Sequence, residues 1–227
     1  MPANDFSNLI YPYDAEYSHY LYDDIYFYEQ LTQDRLRISS EAGNFAFYHL
    51  QGPHAPLIYD ENVKYSEDTS LIKQTLGGFK IVFEFIEQLK ELGVYYDATI
   101  VVMGDHGWPN NPSQLVVEEP ILAGLFVKPA GSAGIPFQES NAPLSTGNVR
   151  ATIVQDAGGD AYAYGTPVQE VLENDQTPRL YFWKNGPAHQ DLVGAPELLI
   201  YEVTGDGRDI ANWHLSELIK GIPYWYN

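Results

Sequence analysis

Apolar positions along the chain keep two rhythms. Between Tyr20 and Arg37, in "LYDDIYFYEQLTQDRL", Leu21, Ile25, Tyr28 and Leu31 recur at steps of three and four, which predicts a helix. A longer helix is predicted from Thr69 to Gly93. There Phe79, Val82, Phe83, Ile86 and Leu89 make one apolar stripe, and Lys80, Glu84, Glu87, Gln88 and Glu91 fill the other face. Gly93 is a natural stop. A third helix is predicted from about Ser145 to Gly158-Gly159.

The remaining apolar runs are short. "NFAFYHL", Asn44 to Leu50, ends at Gly52-Pro53 and reads as a buried strand. "TIVVMG", after Asp97-Ala98, is almost wholly apolar, as in a parallel strand covered on both faces. "PILAGLFVKP", Pro120 to Pro129, reads as the next strand. "RLYFWK" and "ELLIYEVTGD" read as an antiparallel pair, and "DIANWHLSELIK" as a final helix.

A strand, a helix and a strand joined by a crossover of this length make a βαβ unit, whose strands are expected to run parallel. The expected architecture is one α/β domain over 1–227 with a mostly parallel sheet and helices on both faces. A small antiparallel extension is expected over about 178–227. No internal repeat, low-complexity tract or linker interrupts it.

That topology places chemistry. In open parallel sheets, ligands sit beyond the carboxyl ends of the strands. His49 and His54 lie at and just after one such end, and Asp105 and His106 just after the end of its βαβ partner. An adjacent Asp and His offer a hard oxygen and a borderline nitrogen to Mn²⁺, Zn²⁺ or Mg²⁺. Gly104 and Gly107 allow the sharp turn that would aim both at one ion. His49 and His54 suit the non-bridging oxygens of a phosphoryl or sulfuryl group, or a second metal. A lone Asp-His-Gly is common and a loop histidine is usually a solvated one. The joint placement of the two clusters at one sheet edge is what raises the metal reading above that background. His19, His189 and His214 read most simply as structural or surface residues. The glycines of "DAGGDAYAYG" form no phosphate loop, and "GDGRD" reads as a turn rather than a calcium loop.

Charge narrows the partners. A formal charge of −19 argues against nucleic acid and anionic lipid, which need basic patches. The absence of Cys removes disulfides, zinc–thiolate sites and cysteine nucleophiles. Hydrophobic content of 44% excludes a disordered chain. The 18 tyrosines, dense in "YPYDAEYSHYLYDDIYFYEQL", suit a half-wet packing surface. No apolar run approaches the ~20 residues of a membrane span, and Met1 to Ser7 is no signal peptide, so a soluble chain is expected.

"FAFYHLQGPHAP", then a helix ending in "LKELGVYYDATIVVMGDHG", then "EEPILAGLFVKP", resembles the C-terminal half of the sulfatase-like branch of the alkaline phosphatase superfamily. The likeness is to membrane-anchored envelope enzymes such as lipoteichoic acid synthases and phosphoethanolamine transferases. It runs from about Asp23 to Asp209. It implies a partial alkaline-phosphatase-like layered sandwich, with Asp105 and His106 as metal ligands and His49 and His54 beside the substrate phosphate or a second metal. The implied cofactor is Mn²⁺ or Zn²⁺, with Ca²⁺ and Mg²⁺ as further options. The implied chemistry is attack by a Thr or Ser on an envelope phosphate or sulfate ester, with a covalent intermediate.

In the family the nucleophile and another acidic ligand lie ahead of the "HL.G.H.P" strand, where this chain has only Ser7, Ser18, Thr32, Ser39 and Ser40 in no strand-end context. "WPNNPSQLVVEEP" also replaces a loop in which several transferases carry a histidine. The expectation is a C-terminal piece, inactive alone, of an extracellular, membrane-anchored parent. Its open sheet edge would be covered by the missing N-terminal half or a dimer partner. Two other readings stand beside this one. The first is a non-catalytic remnant binding a partner or an envelope glycan. The second is a phosphoesterase using water as nucleophile.

Overall fold

Ser70 starts the longest helix: its hydroxyl accepts the N–H of Lys73 at 3.2 Å, and α2 runs Leu71–Glu91. The computed structural model describes residues 23–38, 43–107, 123–132, 134–185 and 197–220. These belong to two compact units, Met1–Ala98 and Thr99–Asn227.

In the first unit, α1 (Asp23–Asp34) packs beside α2, and both helices fall within the predicted spans. The predicted face of α2 is corrected: Gln74, Gly77, Ile81 and Gln88 are buried and Phe83 is exposed. Leu31, Ile58, Tyr59, Val63 and Ile81 form its buried core, with Ile25, Phe27, Tyr28, Leu36, Leu50 and Phe85 packed around it. Polar side chains also lie inside, each serving stranded backbone. Gln88 donates to the Leu31 carbonyl at 2.9 Å and accepts the Leu36 N–H at 2.8 Å. One side chain thereby satisfies both sides of the α1 exit. Gly77, midway along α2, is required by a close approach. A Cβ there would lie 2.5 Å from the Asp60 carbonyl oxygen and 2.7 Å from the Tyr59 ring. Val63 takes the left-handed backbone at φ 61°, an unusual state for a β-branched residue. It is buried in the core, and the Asp60 carboxylate holds the surrounding turn through the N–H groups of Asn62 and Lys64.

Asn44–Leu50 belongs to no strand: among the described residues it has no ladder partner. Tyr48 joins Phe27 of α1 and Phe85 of α2, with ring centroids 5.4 and 5.3 Å away. Phe45 and Phe47 are exposed, so only part of the apolar run enters the core.

In the second unit, β1 (Ile100–Met103) pairs with β2 (Leu125–Lys128), antiparallel, Val101 opposite Val127. Both strands occupy the expected apolar runs. The sheets seen among the described residues are all antiparallel. α3 (Thr146–Asp156) starts with the Asn148 side chain reaching back to the Ser145 N–H at 2.8 Å. Thr152 on α3 accepts the Val168 N–H at 2.8 Å, tying down the segment that follows.

The C-terminal sheet has the order β3 (Arg179–Asn185), β4 (Glu197–Val203), β5 (Trp213–Lys220), antiparallel throughout. The expected final helix is therefore corrected. Only Ile210–Asn212 makes a short 3-10 turn, and the rest is strand. β4 is apolar on both faces and has a second hydrogen-bonding edge to fill. Pairing with it outweighs the helical spacing of "WHLSELIK". Trp213 is buried as a result, with Tyr181 and Tyr201 at 5.4 and 6.0 Å and its indole N–H on the Gly207 carbonyl at 2.9 Å.

Candidate metal and anion site

The loop that carries His54 is built from a tight turn. The His54 N–H donates to the Gln51 carbonyl at 3.3 Å, and Gly52 between them stands at φ 56°, where a side chain is disfavoured. Two buried polar side chains hold this turn from the helices. Asp24 of α1 accepts the N–H of Gln51 at 2.8 Å on Oδ1 and that of Gly52 at 2.9 Å on Oδ2. Gln74 of α2 donates to the carbonyls of Gly52 at 2.8 Å and His54 at 3.0 Å, and its Oε1 accepts the Ile58 N–H at 2.7 Å. The Tyr59 hydroxyl closes the network on Asp24 Oδ2 at 2.7 Å. Burial first, and the Asp24 carboxylate second, push the Tyr59 phenol well above its ordinary range, so it stays a donor.

His54 itself is exposed, and its Nδ1 lies against the Ala55 carbonyl oxygen. A carbonyl only accepts, so Nδ1 is the donor in this contact. His49 is exposed on the same side of its segment as Phe47, with ring centroids 6.4 Å apart.

Asp105 and His106 follow directly on β1. Gly104 keeps its N–H on the Gly124 carbonyl at 3.1 Å, continuing the β1–β2 pairing to the edge of the turn. The His106 N–H donates to Asp105 Oδ1 at 2.9 Å, and His106 Nδ1 meets the Gly107 carbonyl at 2.7 Å. The second contact fixes Nδ1 as the protonated nitrogen and leaves the lone pair on Nε2. His106 Nε2 stands 3.8 Å from Asp105 Oδ1, and both side chains are more than half exposed. One ion at ~2.0–2.2 Å from each atom can bridge that gap. The donor types and their spacing fit a divalent ion. Among the described residues, no group of three or more His, Asp or Glu gathers at one point, so the pair offers two donors and no third.

His49 and His54 are in the first unit, and Asp105 and His106 are in the second. Reading the sequence alone misses Asp24, Gln74 and Tyr59, which hold the histidine loop. Asp24 sits in a polar-aromatic helix next to Asp23, where an acid reads as surface. Gln74 lies away from the apolar stripe read along α2, on the face it shares with Gly77, Ile81 and Gln88, so the pattern gives no sign that it faces inward.

No known protein family matches the chain, and no curated protein does. A solved structure that matches is a Bacteroides thetaiotaomicron chain designated 4S-sulf, described under the metabolism of multiple glycosaminoglycans. The identity is 16% and the TM-score 0.42, over 92% of this chain and 45% of that one. This chain therefore spans less than half of that chain's length.

Proposed function

We propose that the chain is the C-terminal part of a sulfatase-like hydrolase or transferase acting on phosphate or sulfate esters of cell-envelope molecules. Asp105 and His106 hold a divalent metal, Mn²⁺ or Zn²⁺ first, and His49 and His54 take the non-bridging oxygens of the substrate. The observation that carries this reading is the Asp105–His106 pair: 3.8 Å between the two candidate donor atoms, with His106 Nδ1–H donating to the Gly107 carbonyl. The paired "HLQGPH" and "GDHG" motifs support it further.

Bound there, a divalent ion supplies Lewis-acid polarisation of an ester oxygen. The chain's own residues do the rest. Asp105 brings a negative charge that favours a cation over the histidine alone. The Gly107 carbonyl keeps the His106 ring turned. His54 meets an oxygen of the anion through a ring N–H donor. No nucleophile is assigned to this chain, so the chain by itself turns over little or no ester. The parent is proposed to be membrane-anchored with this part outside the cell. Among the described residues, no helix is long and apolar enough to cross a membrane.

Titration of the chain with Mn²⁺, compared with Asp105→Asn and His106→Ala, tests the metal assignment. The expected result is at least about tenfold weaker binding in each variant. Equal binding in all three sinks the assignment and favours a non-catalytic remnant.

A further inference from the structure

The buried network behind the histidine loop has a role that a generic core does not need. Asp24 and Gln74 are almost wholly buried, at 1% and 0% exposure. Burying a carboxylate and an amide costs several kcal/mol unless every partner is in place. Here their partners converge on one short stretch. Asp24 takes the N–H groups of Gln51 and Gly52, while Gln74 takes the carbonyls of Gly52 and His54 and supplies the acceptor for Ile58. Gly52 is held from both sides, its N–H by α1 and its carbonyl by α2. Gln51 adds contacts of its own from its amide to the carbonyls of His54 and Pro56, at 3.4 and 3.3 Å. The loop is thereby fixed through its backbone, and the one ionisable side chain it presents outward is His54.

We infer that Asp24 and Gln74, with Tyr59 behind Asp24, are positioning residues that hold the His54 loop in its anion-binding shape. This rests on the anion-site reading above. None of the three touches the anion. They act through the backbone of Gln51, Gly52 and His54. The chemistry favours this arrangement because a loop held by buried hydrogen bonds pays its ordering cost on folding rather than on binding.

The test uses the full chain with inorganic phosphate as the probe, read by the ring signals of His49 and His54 in NMR titrations. Amide exchange at Gln51 and Gly52 is measured alongside. Asp24→Asn turns an acceptor into a donor facing two donors, and Tyr59→Phe is the milder variant should Asp24→Asn fold poorly. Leu31→Ala, in the same core but with a side chain that makes no hydrogen bond to the loop, controls for plain destabilisation.

The inferred result has three parts. Phosphate affinity at His54 falls about tenfold in Asp24→Asn and less in Tyr59→Phe. Exchange at Gln51 and Gly52 speeds up in both. Leu31→Ala, though less stable, keeps the affinity. Faster exchange with unchanged affinity overturns the positioning role while leaving the anion site standing. Equal loss of affinity in Leu31→Ala overturns it too, because the effect is then stability alone. A different failure belongs to the anion-site reading: His54→Ala binds phosphate as the parent chain does. In that case both fall, and the His54→Ala arm identifies which failed first.

Discussion

The Tyr59 hydroxyl donates to the Asp24 carboxylate at 2.7 Å, joining the loop after the histidines to the first helix inside the core. Thirty-five positions separate the two residues in sequence. Neither gives sign of the other in the chain's pattern, yet their contact decides where the "QGPH" turn rests.

That contact sets an alkaline limit on stability. Burial raises the Tyr59 phenol above its unfolded value, so its contribution is complete below ~10, where free phenols titrate, and drains away as the pH climbs past that point. Tyr59→Phe is expected to cost about 1–2 kcal/mol at neutral pH, since Asp24 loses one donor and keeps two backbone ones. It should also flatten the fall in Tm between pH 9 and 11. Thermal melts of both proteins across that range check the two effects together.

Two neighbouring glycines of α2 should respond oppositely to alanine. At Gly77 the new methyl carbon meets a backbone oxygen at 2.5 Å, which cannot step aside. Gly77→Ala is expected to destabilise by about 1–3 kcal/mol, outweighing the gain in helix propensity. At Gly78 the nearest atom is the Tyr59 hydroxyl at 3.7 Å, an ordinary contact. Gly78→Ala should therefore stabilise by about 0.5–1 kcal/mol. Urea denaturation of the pair reads both signs.

Acid should weaken the fold through a few surface carboxylates. Hydrogen bonds from Tyr162 and Gln155 lower Glu170, those from Thr177 lower Asp175, and the Arg208 side chain and N–H lower Asp206. At Asp60, partial desolvation pushes upward but the N–H groups of Lys64 and Asn62 outweigh it. For each, the folded value lies below the unfolded one. Their stabilisation is then present above ~4 and lost as the pH falls below it. Melts between pH 7 and 3 should be flat in the upper part and decline in the lower. Asp206→Asn, removing the Arg208 pairing, should make that decline shallower.

The helical segments were legible in the sequence because apolar positions repeat over several turns. The buried face of α2 was not: Phe83 of the predicted stripe is exposed, while Gln74 and Gln88 are buried because their amides serve backbone groups outside the helix. The predicted helices at 20–37, 69–93 and 145–159 contain α1, α2 and α3. Short apolar runs were less so. "WHLSELIK" has helical spacing, but the open edge of β4 made it a strand. "NFAFYHL" reads as a strand in isolation, whereas Tyr48 and Leu50 anchor it to two helices and Phe45 and Phe47 face outward. The candidate ligands were visible because Asp-His-Gly and "HLQGPH" are local words. The side chains that hold the His54 loop were not, since Asp24 and Gln74 gain their meaning only from backbone groups 27 and 22 positions away.

Whether Asp105 and His106 hold the metal is read most directly from Mn²⁺ added to the full chain while the histidine ring signals are followed. Paramagnetic broadening of His106, absent in Asp105→Asn, is the predicted result. A His106 signal that stays sharp in the parent chain, or that broadens equally in Asp105→Asn, would contradict it.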